Sequence, residues 1–209
     1  MVRVGLTGGI ATGKTTAGQM FVDLGCHLLE SDDIAHELYQ PAQPVHDSVV
    51  REFGLKVLAA DGSIDRKILG EIVFNNAVLR NKLNSIVHPA IIRRQEEWLD
   101  ALERRDAHAI GIVSAALMIE VGTYKNYQKL IVVSCTPEEQ RRRLAERSAL
   151  TSAQIEARIA AQMPLSEKMK FADYVIDNSG DLTRTRRQVE EVNSKLRQLS
   201  ANTSDTRRS

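Results

Sequence analysis

Eight consecutive residues, Gly8-Gly9-Ile10-Ala11-Thr12-Gly13-Lys14-Thr15, restrict what this chain can fold into more than any other stretch of it. They match G-x-x-x-x-G-K-[ST] and lie between an apolar run at residues 2–6 and a segment of helical spacing that ends near Gly25. Glycines let a loop backbone curl around phosphates with its N–H groups inward, and the helix that follows presents its positive N-terminal end. The pattern therefore predicts an ATP cradle built from Gly8, Gly9, Ala11, Thr12, Gly13 and the helix start Lys14-Thr15-Thr16. Lys14 is expected to reach the β- and γ-phosphates, and the Thr15 hydroxyl to ligate Mg2+.

The rest of the chain supplies a frame for such a loop. Short β-branched or apolar runs recur at residues 2–6, 26–29, 109–113, 130–134 and 174–176, mostly followed by segments of helical spacing. Alternation of this kind predicts a parallel sheet covered on both faces. Between residues 34 and 105 no strand is evident; Ile68, Ile72 and Val73, then Leu79, Leu83, Ile86 and Val87, recur at three and four residues and read as a helical insertion. A further helix is expected over residues 151–162, opened by the capping signal Thr151-Ser152-Ala153-Gln154. Residues 200–209 are polar apart from Ala201 and read as a disordered tail.

Bulk properties narrow the ligand class. A formal charge of +1 leaves no global basic field for nucleic acid beyond a mononucleotide. No apolar run approaches the roughly 18 residues of a membrane span. The first residues run straight into an apolar strand without a signal peptide's longer apolar stretch, and the two cysteines, Cys26 and Cys135, have neither zinc nor redox spacing. A reduced cytoplasm and a small-molecule substrate are the expectation, with oligomeric state left open.

Several charged residues compete between chemistry and ordinary structure. Glu30 and Asp32 follow the second apolar run two residues apart, so in extended chain both carboxylates point the same way, toward the strand ends where α/β sheets bind ligands. Either they receive a proton from an acceptor hydroxyl, or Ser31, Asp32 and Asp33 merely cap the next helix; spacing does not choose. His36 lies one turn beyond Asp32 and is a candidate acceptor contact. His88 precedes Pro89, an arrangement that suits a helix start as well as substrate binding. Arg141, Arg142, Arg143 and Arg147 follow a helix-start signal at Thr136-Pro137-Glu138-Glu139, and Arg143 and Arg147 share a face. Lys168 reads as a solvated surface cation, with service to the lid as the alternative, and Trp98 and Tyr124 read as packing aromatics.

Taken together, stretches from Leu6 to about Gly180 resemble the dephospho-coenzyme A kinase family. The phosphate loop, Glu30-Ser31-Asp32-Asp33-Ile34-Ala35-His36, Asp61-Gly62-Ser63-Ile64-Asp65-Arg66 and Leu83-Asn84-Ser85-Ile86-Val87-His88-Pro89 carry the first half of the likeness. Leu117-Met118-Ile119-Glu120, Arg158-Ile159-Ala160-Ala161-Gln162-Met163-Pro164 and residues 172–180 carry the second. The resemblance implies transfer of the ATP γ-phosphoryl group to the ribose 3′-hydroxyl of dephospho-CoA. Asp32 would be the base, Lys14, Arg143 and Arg147 would neutralise phosphoryl charge, and Glu30, His36 and His88 would face the acceptor. Asn178 and Gly180 would approach adenine through their backbone.

The implied fold is a three-layer α/β P-loop kinase with a five-stranded parallel sheet. Residues 1–33 and 106–199 would form the nucleotide-binding core, with a lid at about 146–170, and residues 34–105 a helical acceptor domain. Three departures from the family pattern stand out: Glu30 in place of aspartate, Ser114 and Ala116 in place of Asp and Pro, and Ser148 after Arg147. They keep two rivals in view, a P-loop kinase with another acceptor and an inactive ATP-binding module.

Overall fold

The structure is a computed structural model that describes residues 1–74, 76–148 and 150–205. In chain order its elements begin β1 (Val2–Gly8), α1 (Lys14–Asp23), β2 (His27–Glu30), α2 (Ser31–Leu38), α3 (Pro44–Phe53), α4 (Arg66–Phe74) and α5 (Ala77–Arg105). They continue β3 (Ile110–Ser114), α6 (Met118–Val121), β4 (Lys129–Ser134), α7 (Pro137–Arg147), α8 (Ser152–Ala160), α9 (Leu165–Met169), β5 (Tyr174–Asp177) and α10 (Leu182–Asp205). Two compact units result: Met1–Leu29 with the chain from Leu99 onward, and Glu30–Trp98.

The first unit is built on the five strands found among the described residues, in the order β2-β3-β1-β4-β5. β1 pairs in parallel with β3 and β4, and β4 with β5. Register aligns one apolar row across the sheet: Val4 opposite Ile112, Leu6 opposite Ile131, and Val133 opposite Ile176. That row packs with Ala17, Met20 and Phe21 of α1 and Val189, Val192 and Leu196 of α10. Each of these side chains larger than alanine contributes about 1.5–3 kcal/mol on burial. On the opposite face Gly5 lets α6 come close, since a Cβ there would lie 2.6 Å from Met118 Sδ.

The final helix corrects one expectation. α10 runs to Asp205, and Ser200 is buried with its hydroxyl donating to the His108 carbonyl at 2.8 Å, so residues 200–205 are helical. Local polarity signalled a loose tail, but a helix already anchored by Val189, Val192 and Leu196 carries its last turns along. The remainder of that predicted tail, residues 206–209, lies outside the described residues.

The second unit packs α2, α3, α4 and most of α5 around Ile34, Leu38, Val45, Val49, Phe53, Val57, Leu69 and Val87. A tight turn at Gly62, with φ +83°, closes a single antiparallel bridge between Leu58 and Ile64. Pro89 sits inside α5, so His88-Pro89 does not mark a helix start as expected. Burial of Val87 and Ala90 on the same face outweighs the hydrogen bond that proline removes.

Candidate active site

β1 ends at Gly8 and α1 begins at Lys14, so the glycine loop hangs from the carboxyl end of a central strand. Two glycines are sterically required there. A Cβ on Gly8 would stand 2.6 Å from Thr12 Oγ1, and one on Gly13 would stand 1.9 Å from Asn178 Nδ2. Gly13 also holds φ +92°, in the left-handed region, as N-cap of a helix with no acidic residue in its first turn. No side-chain hydrogen bond caps α1, so its positive end is left to an anion.

The loop is held from outside as well as from within. Thr12 is buried, and its hydroxyl donates to the Gly9 carbonyl at 2.9 Å, making it a brace of the loop. Ile10 at the tip is gripped twice: its N–H donates to Gln162 Oε1 at 2.8 Å, and its carbonyl accepts from Gln140 Nε2 at 2.7 Å. The Thr12 carbonyl accepts from Asn178 Nδ2 at 2.8 Å and from Arg143 Nη1 at 3.3 Å. A loop braced in this way needs little reorganisation when charge arrives. Lys14 Nζ donates to Ser114 Oγ, so the serine at the end of β3 touches the loop lysine directly. Thr15 is exposed on the first turn of α1 beside it.

Arg143 and Asn178 differ from their expected parts. Arg143 directs Nε to Glu139 Oε1 at 2.7 Å, Nη1 to the Thr12 carbonyl and Nη2 to the Asn178 carbonyl at 2.7 Å. Three of its five donors are thus engaged, and two of them join the loop to the residue that follows β5. The Glu139 carboxyl, hydrogen-bonded by Arg142 and close to Arg143, is held down at about 2. Asn178 is buried; its N–H donates to the Ser134 carbonyl at 2.7 Å and its carbonyl accepts from Arg143. Both backbone groups expected near adenine are therefore engaged, and the side chain serves the phosphate loop. Gly180 remains exposed at the turn after β5, and Arg147 is exposed at the end of α7.

Lys168 overturns the surface reading. It is fully buried and pairs with Glu120 at 2.9 Å. A cation of this length is almost never buried without such a partner. Gln140, Gln162 and Glu120 were not singled out for the loop by sequence reasoning; the only local signal was that Glu120 and Gln162 fall in recognisable stretches.

In the helical unit the capping alternative for Asp32 falls away. The N-cap of α2 is Glu30, with no side-chain cap hydrogen bond, and Asp32 lies exposed in the first turn. A carboxylate there is favoured by the helix dipole whatever else it does. His36, four residues on, is also exposed. His88 is half-buried on α5, and burial pushes its imidazole below the usual value, favouring the neutral ring.

A parallel sheet in this order, with a glycine loop leading from its central strand into a helix, defines a P-loop kinase. The same fold occurs in shikimate kinase from Acinetobacter baumannii, at TM-score 0.50 and 15% identity over 97% of this chain and 94% of that one, a likeness of fold alone. The model of the dephospho-CoA kinase family matches residues 2–184. Dephospho-CoA kinase from Aquifex aeolicus is 42% identical over 196 residues, which is 94% of this chain and 98% of that protein. Dephospho-CoA kinase from Campylobacter jejuni superimposes at TM-score 0.70 with 30% identity over 94% of this chain and 97% of that one. The chain belongs to the dephospho-CoA kinase family.

Proposed function

We propose that this chain transfers the γ-phosphoryl group of ATP to the ribose 3′-hydroxyl of dephospho-CoA, giving CoA and ADP. The observation that carries the reading is the family match over residues 2–184, which takes in both the phosphate loop and the helical unit. A P-loop kinase of another acceptor class would be expected to share the loop and not the rest.

In this reading the loop backbone and the start of α1 bind the β- and γ-phosphates, and Lys14 exchanges its contact with Ser114 for phosphate oxygens. Asp32 accepts the proton of the 3′-hydroxyl as that oxygen bonds to the γ-phosphorus, and the bond from the γ-phosphorus to the bridging oxygen of ADP breaks in line. Arg147 meets the developing charge, while Arg143 acts one step back by holding the loop. Glu30, His36 and His88 orient the acceptor within the helical domain, and Gly180 borders the adenine.

Mg2+ suits the residues present. It keeps several waters and prefers phosphate oxygens, needing only one or two protein ligands. Among the described residues no three His, Cys, Asp or Glu side chains gather to hold a metal, whereas Thr15 offers a hard hydroxyl on α1 beside Lys14. When bound, the ion would neutralise charge between the β- and γ-phosphates. The site of action would be the cytoplasm; among the described residues no helix is long and apolar enough to cross a membrane.

The deciding experiment measures ADP release from purified protein with Mg-ATP, with and without dephospho-CoA, and weighs the product by mass spectrometry. One phosphate added to dephospho-CoA is the expected product. Phosphorylation of nucleosides or nucleoside monophosphates instead would point to another acceptor, and ATP binding without any phosphorylated product would point to an inactive module.

A further inference from the structure

We infer that Lys168, through Glu120, is a positioning residue for the nucleotide: the pair fixes the first carbonyl of the phosphate loop and ties the segment between α8 and α9 to it. Lys168 has 0% exposure, and its ammonium has three proton donors to place. They meet the Ala116 carbonyl at 2.6 Å, Glu120 Oε1 at 2.9 Å and, more weakly, the Gly8 carbonyl at 3.4 Å. Gly8 is where β1 becomes the loop, and Ala116, just past β3, also accepts from Thr7 Oγ1 at 3.2 Å. Glu120 Oε1 in turn accepts the Met163 N–H at 3.1 Å, and the preceding residue, Gln162, accepts the Ile10 N–H. A buried lysine paired with a partly exposed glutamate therefore reaches the base of the loop directly and its tip through the neighbouring residue of the lid segment.

Packing alone does not call for a cation here. A methionine fills a similar volume without removing charge from water, and buried ion pairs are often no more stable than apolar replacements. What the ammonium supplies is a single point that satisfies two carbonyls from adjacent strand ends and a carboxylate at once. Without it the Gly8 carbonyl, and with it the inward N–H groups of the loop, lose that tether, and Glu120 is freed from the geometry in which it holds Met163. The effect falls on ATP and not on the acceptor, whose expected contacts lie in the other unit. The inference rests on nucleotide binding at the loop, and not on which acceptor the kinase uses.

The test uses the full chain as wild type, Lys168→Met, and the charge-matched double variant Lys168→Met with Glu120→Gln. Mg-ATP affinity is read by titration calorimetry, KM for each substrate by ADP release, and stability by thermal unfolding. We expect each variant to raise Kd and KM for ATP about tenfold or more, the size of one lost hydrogen bond to a charged group, with less than about a twofold change in KM for dephospho-CoA. We further expect the double variant to recover the melting temperature of the wild type while its ATP affinity stays low. Wild-type ATP affinity in either variant overturns the inference, as does recovery of affinity together with stability, an equal rise in both KM values, or failure of the double variant to fold. A wild-type chain that bound no Mg-ATP would instead remove the kinase reading on which the inference stands.

Discussion

Asp32 and Arg143 raise the same expectation in the sequence, a charged side chain beside a phosphoryl group in transit, yet their surroundings part them. Asp32 is exposed in the first turn of α2 and is not the cap of that helix, so its carboxylate stays available to a hydroxyl. Arg143 gives three donors to Glu139 and to two backbone carbonyls, the pattern of a structural clamp. Replacing Asp32 with asparagine removes the proton acceptor and keeps the shape, so turnover should fall about a hundredfold or more while Mg-ATP affinity is kept. Steady-state ADP release with parallel ATP titration checks this, and near-normal turnover would remove Asp32 from the role of base. Gly13 shows how much one residue can carry: its left-handed φ and the closeness of Asn178 exclude a side chain for two independent reasons.

Helices α1 and α8 solve the same problem at their N-termini in opposite ways. α8 closes its own donors with a complete capping box, in which Thr151 accepts from the Gln154 N–H and the Gln154 side chain accepts from the Thr151 N–H. α1 has no side-chain cap, because its donors belong to the phosphate loop. Thr151→Ala should therefore destabilise α8 by about 1 kcal/mol, seen as faster hydrogen exchange confined to residues 152–160 with α1 unchanged. Exchange that rose equally in both helices would mean the cap supports more than its own helix. The box was legible in sequence because it is a contact between residues three apart. Pro89 was misread for the complementary reason: the local rule that proline begins a helix holds until buried neighbours such as Val87 and Ala90 are worth more than the hydrogen bond it removes.

Across both units the protein carries no ready-made metal cluster among the described residues, and its folding rests on apolar packing. Removal of Mg2+ by a chelator should therefore abolish turnover and leave the melting temperature of the ligand-free chain unchanged, whereas Mg-ATP should raise it by mass action. A melting temperature that dropped with chelator alone would reveal a structural metal and contradict the proposed use of the ion as a partner of the phosphates. The two compact units divide near residues 29 and 99, the second boundary falling within a continuous α5. A helix that passes from one unit to the other keeps its period, so nothing in its spacing marks the change.

The phosphate loop, the strands around it and the caps of α7 and α8 were written locally, in residues close enough along the chain for spacing to imply contact. What holds the loop was not. Gln140, Arg143, Lys168, Gln162 and Asn178 reach residues 8–12 across separations of 130, 131, 160, 152 and 166 positions. Those meetings depend on the order β2-β3-β1-β4-β5, which sets β4 beside β1 and β5 beside β4, so that the segments flanking their carboxyl ends converge on the loop. A glycine pattern can announce that phosphate is bound. Which distant glutamine, asparagine or buried lysine fixes the shape of the cradle is decided only when the strands are laid side by side.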